Sequence, residues 1–238
     1  MALPMQSTPT FNLKIPSTGK TVKYRPFVVK EEKALLIAQQ SEDPKIMIDT
    51  LQSVLGSCLL DKVDIDSLAI FDLEYMFLQI RGKSVGETVD LFFLCDEDHG
   101  ELNEKAKAKV TINLSDIEVT KPENHSNKIP LFGNVGVVLK YPSLKDAGQV
   151  DNYEDIEEIF DIVASSIDMI YDGDQVFHGS ETSHEEMVQF LNNLTTEQFL
   201  KIQEFFTSMP KMSHSVDYKC PICGKEHTQV LEGIANFF

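Results

Sequence analysis

Tryptophan is missing from the 238 residues, and no Lys or Arg occurs between Asp146 and Leu200, a stretch holding 14 Asp and Glu. The second absence weighs more. The phosphate backbone of a nucleic acid is held by Lys and Arg that displace its counterions. With a net charge of −17 the chain offers the wrong sign, so nucleic acid is not expected as a partner. There is also no apolar run of the length that crosses a bilayer, and Met1–Gln6 lacks the basic start and apolar stretch of a secretory signal. The expected location is the cytoplasm of the cell that makes it. Only four cysteines occur, Cys58, Cys95, Cys220 and Cys223. In a chain without an export signal they point to thiols or a metal site rather than a disulfide framework.

Signatures of catalysis are equally scarce. No Gly-rich loop is placed to cradle a phosphate, and the acids show no distinctive acid/base spacing. Ser183-His184-Glu185 stands at a helix start, where Ser is a cap and His faces solvent; His125 and His178 fall in polar stretches. An enzyme is not expected.

What the chain does have is a mixture of helical and strand patterns. Phe11–Ile15 and Val22–Arg25 alternate apolar and polar residues around Pro16-Ser17-Thr18-Gly19, as in a β-hairpin. Residues 30–38 are rich in helix formers. Asp43-Pro44 reads as N-cap and first turn of a second helix running to about Cys58. Cys58 falls in the apolar pattern Leu51, Val54, Leu55, Cys58 and Leu59, as a small core residue. A third helix is predicted over 68–81, then strands over 88–95, 106–114, 128–131 and 135–141. Tyr153, Ile156, Phe160, Val163, Ile167 and Ile170 recur at helical spacing, predicting one amphipathic helix over 153–170. Capping boxes at Ser183-x-x-Glu186 and Thr195-x-x-Gln198 open two more helices.

The most specific local motif is Cys220-Pro221-Ile222-Cys223-Gly224-Lys225-Glu226-His227. A Cys-x-x-Cys pair followed by Gly is the zinc knuckle arrangement, in which the glycine lets the backbone turn and aim amides at the thiolates. Four donors are needed. Cys220, Cys223, His227 and Cys95 are the expected zinc set, with His214 and His99 as alternatives. A redox Cys-x-x-Cys would open a helix after a strand, which is not the context here. Cys95 enters because the chain shows a weak internal echo. Asp72–Ile80 leads through Ser84-Val85 to Cys95–Gly100, and Thr195–Ile202 leads through Ser215-Val216 to Cys220–Gly224. Each reads as helix, connection, strand and Cys-bearing hairpin tip. The expected fold is α+β, with helical segments plus β-hairpins in two weakly duplicated lobes: a tail over 1–10, an N-terminal lobe over 11–142, and an acidic helical C-terminal lobe over 143–238 ending in the Cys-x-x-Cys hairpin.

Several stretches together carry a resemblance. They are Tyr24-Arg25-Pro26-Phe27-Val28-Val29-Lys30-Glu31-Glu32-Lys33-Ala34-Leu35-Leu36; Phe71-Asp72-Leu73-Glu74-Tyr75-Met76-Phe77-Leu78-Gln79-Ile80-Arg81-Gly82-Lys83-Ser84-Val85-Gly86-Glu87; the Cys95 hairpin with Val110–Ile117; and the ending Leu231-Glu232-Gly233-Ile234-Ala235-Asn236-Phe237-Phe238. The chain resembles the baseplate hub subunits and hub-assembly proteins of T-even-type myoviruses and their cyanophage relatives. The resemblance implies assembly of the central hub through protein contacts, with other hub proteins or the tape measure as partners. It implies a place in the host cytoplasm during assembly and in the virion if the chain is retained; the family includes both virion components and assembly-only chaperones. A zinc-dependent or redox enzyme using Cys220 and Cys223 is the alternative of another class. The acids of the amphipathic stretch, Glu154, Glu157, Glu158 and Asp161, form either a solvated face or a surface that meets a basic helical partner.

Overall fold

The computed structural model describes residues 7–41, 44–143 and 156–233. Asp43, residues 144–155 with Tyr153, Glu154 and the start of the acidic stretch, residues 1–6 of the tail and Ile234–Phe238 of the ending lie outside them. The described chain is α+β, as expected, with helices and small antiparallel sheets. It forms two compact units. One gathers the described residues of Met1–Ile65, Phe71–Thr120 and Lys211–Phe238; the other gathers Asp66–Ile70 and Lys121–Pro210. The chain passes between them after Ile65, Ile70, Thr120 and Pro210, whereas the expected boundary was 142/143. The C-terminal hairpin belongs with the N-terminal residues.

In the first unit, β1 (Phe11–Lys14) and β2 (Thr21–Tyr24) pair antiparallel, Phe11 opposite Tyr24. Gly19 closes their turn at φ +70°, a conformation that a Cβ disfavours. Two helices follow, α1 (Val29–Ser41) and α2 (Pro44–Cys58). The segment between β2 and α1 is pinned at each step. The Arg25 amide donates to the Cys58 carbonyl at 2.9 Å, and the Phe27 amide donates to Ser84 Oγ at 2.9 Å. Arg25 Nη2 donates to Glu31 Oε1 at 2.9 Å, while the Val28 amide donates to Glu31 Oε2 at 3.0 Å. Glu31 is thus the third-position carboxylate of a helix start, reaching back to a free backbone donor. Cys58 is fully buried, and burial pushes its thiol up to about 11. It is the inert core cysteine that its apolar pattern suggests.

Helix α3 (Ile70–Ser84) is the unit's centre, burying Phe71, Leu73, Met76, Phe77, Leu78 and Ile80. Its Asp72 is buried as well, and there it accepts from the Ser17 amide at 2.9 Å and from the Ser17 hydroxyl. The hairpin β3 (Thr88–Leu94) and β4 (Lys107–Asn113) follows, with Leu94 opposite Lys107 at its tip. The short strand β5 (Glu118–Thr120) then pairs with β10 (Lys211–Lys219), which itself pairs with β11 (Glu226–Glu232). Leu78, Ile112, Leu114, Ile117, Met212, Val216 and Leu231 make one core cluster beneath both hairpins.

The second unit is a four-stranded antiparallel meander, β6 (Lys128–Phe132), β7 (Val135–Leu139), β8 (Ile167–Asp172) and β9 (Gln175–His178). With it belong α4 (Ile156–Ser165), α5 (His184–Asn192) and α6 (Thr196–Thr207). Both expected capping boxes are present, at Ser183 with Glu186 and at Thr195 with Gln198. Val137, Leu139, Val163, Ile167, Leu191, Ile202 and Phe205 share the core.

The helix predicted over 153–170 stops at Ser165, and the rest is strand. A β-bulge explains the misleading period. Val138 pairs with Met169 but Leu139 pairs with Ile167, leaving Asp168 as the extra residue. Ile167 and Ile170 therefore both reach the core at a spacing of three, which imitates a helix. His125, read as a residue of a polar stretch, is buried. Ser208 spends its proton on the Glu204 carbonyl at 2.6 Å, so its oxygen accepts from His125 Nδ1 at 2.9 Å. His125 Nε2 then accepts from the Tyr141 hydroxyl at 3.1 Å, and the ring stacks on Tyr141 and Phe205. Burial, reinforced by the Lys121 charge, holds its pKa below the usual imidazole value.

Candidate metal centre

Two hairpin tips meet in the first unit. The chain leaves β3 at Cys95, whose amide donates to the Ala106 carbonyl at 3.2 Å. The loop beyond it is held by Asp98 Oδ1, which accepts from the Gly100 amide at 2.8 Å and from Asn103 Nδ2 at 3.1 Å. Asn103 Oδ1 in turn accepts from the His99 amide at 2.6 Å. His99 thus stands on an ordered turn, just before the 3-10 turn Gly100–Lys105.

The other tip is the Cys-x-x-Cys turn between β10 and β11. The Cys220 amide donates to the Lys225 carbonyl at 2.9 Å, and the Gly224 amide returns to the Cys220 carbonyl at 3.0 Å. Gly224 makes this closure at φ +74°. The Ile222 amide points at Cys220 Sγ from 3.4 Å, as the knuckle reading requires. Across the tips, Tyr218 donates its hydroxyl to the Leu94 carbonyl at 3.0 Å and stacks on Phe93. Lys225 reaches Asp96 and Glu97.

These turns bring Cys95, His99, Cys220 and Cys223 together, with all four donor atoms within 4.8 Å of one another. Cys95 Sγ lies 3.9 Å from Cys223 Sγ, and Cys220 Sγ lies 3.5 Å from His99 Nε2. Cys220 is buried and Cys223 exposed, and all four cysteines of the chain are free thiols. Burial works against the ionised form of Cys220, but amide donors from Cys223 and Ile222 and its neighbouring thiols outweigh it, holding the thiol down at about 6. Cys95 is pushed up to about 11, by burial first and then by the other two cysteines.

His227 sits beside this cluster rather than within it. Its Nε2 is 3.3 Å from Cys95 Sγ and its Nδ1 is 3.3 Å from Asp96 Oδ1, while its ring stacks on Tyr218. The strand register is the cause. His227 pairs opposite Tyr218, two residues back from the tip, so its ring lies on the tyrosine. His214 lies in β10 opposite Leu231. Six residues of extended chain at about 3.3 Å each take it some 20 Å from Cys220, outside any shared shell.

The acids read as a partner surface lie elsewhere, in the second unit. Glu157 is exposed, Glu158 half-buried, and Asp161 accepts from His184 Nε2 at 2.8 Å. Their apolar neighbours Val163 and Phe160 face the unit's own core. Glu154 lies outside the described residues. Among those residues no helix is long and apolar enough to cross a membrane.

Residues 8–238 match the family described as T4 bacteriophage base plate protein. The chain belongs to that family. Among curated proteins, this base plate family member is 20% identical over 228 residues to the Baseplate hub assembly protein gp26 of Enterobacteria phage T4, covering 96% of each chain. No solved structure matches it.

Proposed function

We propose that this base plate protein acts in building the tail hub, as a hub subunit or an assembly factor, through contacts with other base plate or tape-measure proteins rather than by catalysis. One observation carries the reading: the match to a hub assembly protein runs along nearly the whole of both chains. A likeness of that extent concerns the full arrangement of elements and not a single shared motif.

The side-chain chemistry supports a non-catalytic role. Ser183, which precedes His184 and its partner Asp161, is committed to structure: its Oγ donates to Glu186 Oε2 at 2.8 Å as part of a helix cap. The Cys/His cluster offers four protein donors, which would fill the shell of a tetrahedral ion and leave no open position for a substrate. The acidic stretch supports a basic partner, whose approach such a field speeds. Affinity capture of the tagged chain from infected cells tests the reading. Hub or tape-measure proteins should be recovered, and their presence alongside the chain in purified virions would mark a retained subunit. Recovery of no base plate or tail protein would overturn it.

A further inference from the structure

We infer that Cys95, His99, Cys220 and Cys223 hold one zinc ion that fastens the β3–β4 tip to the β10–β11 tip. The spacing of the donors is the first ground. Zinc–sulfur bonds of about 2.3 Å and zinc–nitrogen bonds of about 2.0–2.1 Å, set at tetrahedral angles, place neighbouring ligands about 3.5–3.8 Å apart. The sulfurs of Cys95 and Cys223 at 3.9 Å, and Cys220 Sγ and His99 Nε2 at 3.5 Å, stand at that separation. A disulfide would need its sulfurs about 2.05 Å apart.

The second ground is what the tips lack. Leu94 and Ile222, the apolar residues flanking the cluster, are both largely exposed, as are Asp96 and Glu97. The core cluster lies further down the hairpins. Three thiols and an imidazole converge from two separate turns, and the aromatic contact between the hairpins, Tyr218 on Phe93, lies in the strands rather than among the donors; the four form a donor set and not a packing motif. The Ile222 amide aimed at Cys220 Sγ and the left-handed Gly224 belong to the same knuckle turn.

Soft thiolates in a four-coordinate shell select zinc among the common divalent ions. The shell is closed, so the ion is structural. His227 is a positioning residue: anchored by Asp96 and stacked on Tyr218, it sets its Nε2 against Cys95 Sγ from outside the shell. This assigns the imidazole ligand to His99, four residues after Cys95, and not to His227, four residues after Cys223.

The test uses the full chain purified in reducing buffer without chelator. Elemental analysis should find one zinc per chain, and replacement by cobalt should give the visible bands of a tetrahedral thiolate site. His99→Ala should abolish stoichiometric metal. His227→Gln should keep the cobalt bands while weakening affinity about 10- to 100-fold, the usual effect of losing an outer partner. Cys220→Ser should also lose stoichiometric metal; should it fail to fold, the wild-type chain and the two histidine variants, checked by circular dichroism, give the same reading. A wild-type chain that retains no zinc after incubation with zinc chloride and dialysis would overturn the proposal. So would a His99→Ala variant that binds as the wild type does. The measurement is made on the isolated protein, so it can fail while the base plate reading stands, and the reverse.

Discussion

Replacing Glu31 by Gln should destabilise the first unit by about 2 kcal/mol. Glu31 is 6% exposed and its partner Arg25 22%. Removing one member of a buried ion pair costs about 3–5 kcal/mol, because the other charge is left without compensation. Arg25 keeps some water and its Nη1 bond to the Pro26 carbonyl at 2.9 Å, which lowers the figure. A Gln oxygen can also still accept from the Val28 amide. A double-mutant cycle with Arg25→Met isolates the pair. The two single changes and the double, followed by urea unfolding, should give a coupling of about 1–2 kcal/mol with an unchanged denaturant slope. The pH dependence is a second signature. Burial raises the Glu31 carboxyl, but Arg25 and the Val28 amide outweigh it, so its folded pKa lies below the ordinary 4.5. The folded state then binds fewer protons than the unfolded chain in that window. Its stabilisation is present above pH 4.5 and is lost as pH falls through the lower folded value. A coupling below about 0.5 kcal/mol, the range of exposed surface pairs, would refute the claim that Arg25 and Glu31 fix the entry to α1.

Three further outcomes are expected. A Cβ at Gly136 would meet the Ile129 carbonyl oxygen at 2.5 Å and collide with the Tyr171 phenol; because a backbone oxygen cannot swing aside, Gly136→Ala should lower stability by about 2–3 kcal/mol, read as a fall in the urea midpoint. Since His125 is held neutral below its ordinary 6.5, the unfolded chain binds the extra proton first as pH drops, so stability should fall between pH 6.5 and the lower folded value; His125→Gln should lose less over that interval than the wild type, measured at pH 7.5 and 5.5. Converting Glu154, Glu157, Glu158 and Asp161 to their amides should slow association with the captured partner and flatten its salt dependence; unchanged capture and kinetics would leave those acids as a solvated face.

Where the sequence was legible, the signals were local. The capping boxes at Ser183 and Thr195, the turn at Gly19 and the Cys220–Gly224 knuckle each follow from residues within one turn of chain. Helix α3 shows in its apolar content, although its amphipathic stripe is broad because both flanks are buried. Long-range pairing was not legible. Only three residue pairs join β5 to β10, yet they carry the C-terminal hairpin into the first unit. The strand β8 was hidden by its bulge at Asp168, although Gly173-Asp174, the two-residue loop between Asp172 and Gln175 with Gly173 at φ +59°, is a hairpin dipeptide that could have exposed it. At the candidate metal centre, sequence proximity to the Cys-x-x-Cys pair favoured His227. Strand register places it opposite Tyr218 instead, and the Asp98–Asn103 network brings His99 into the cluster.

The central claim is that this chain serves the construction of the base plate hub. Deleting its gene from the phage that encodes it, and examining the particles made during infection by electron microscopy, tests that most directly. The account predicts heads without complete tails and base plates lacking their hub, restored when the chain is supplied in trans. Normal yields of infectious, fully tailed particles from the deletion phage would contradict it.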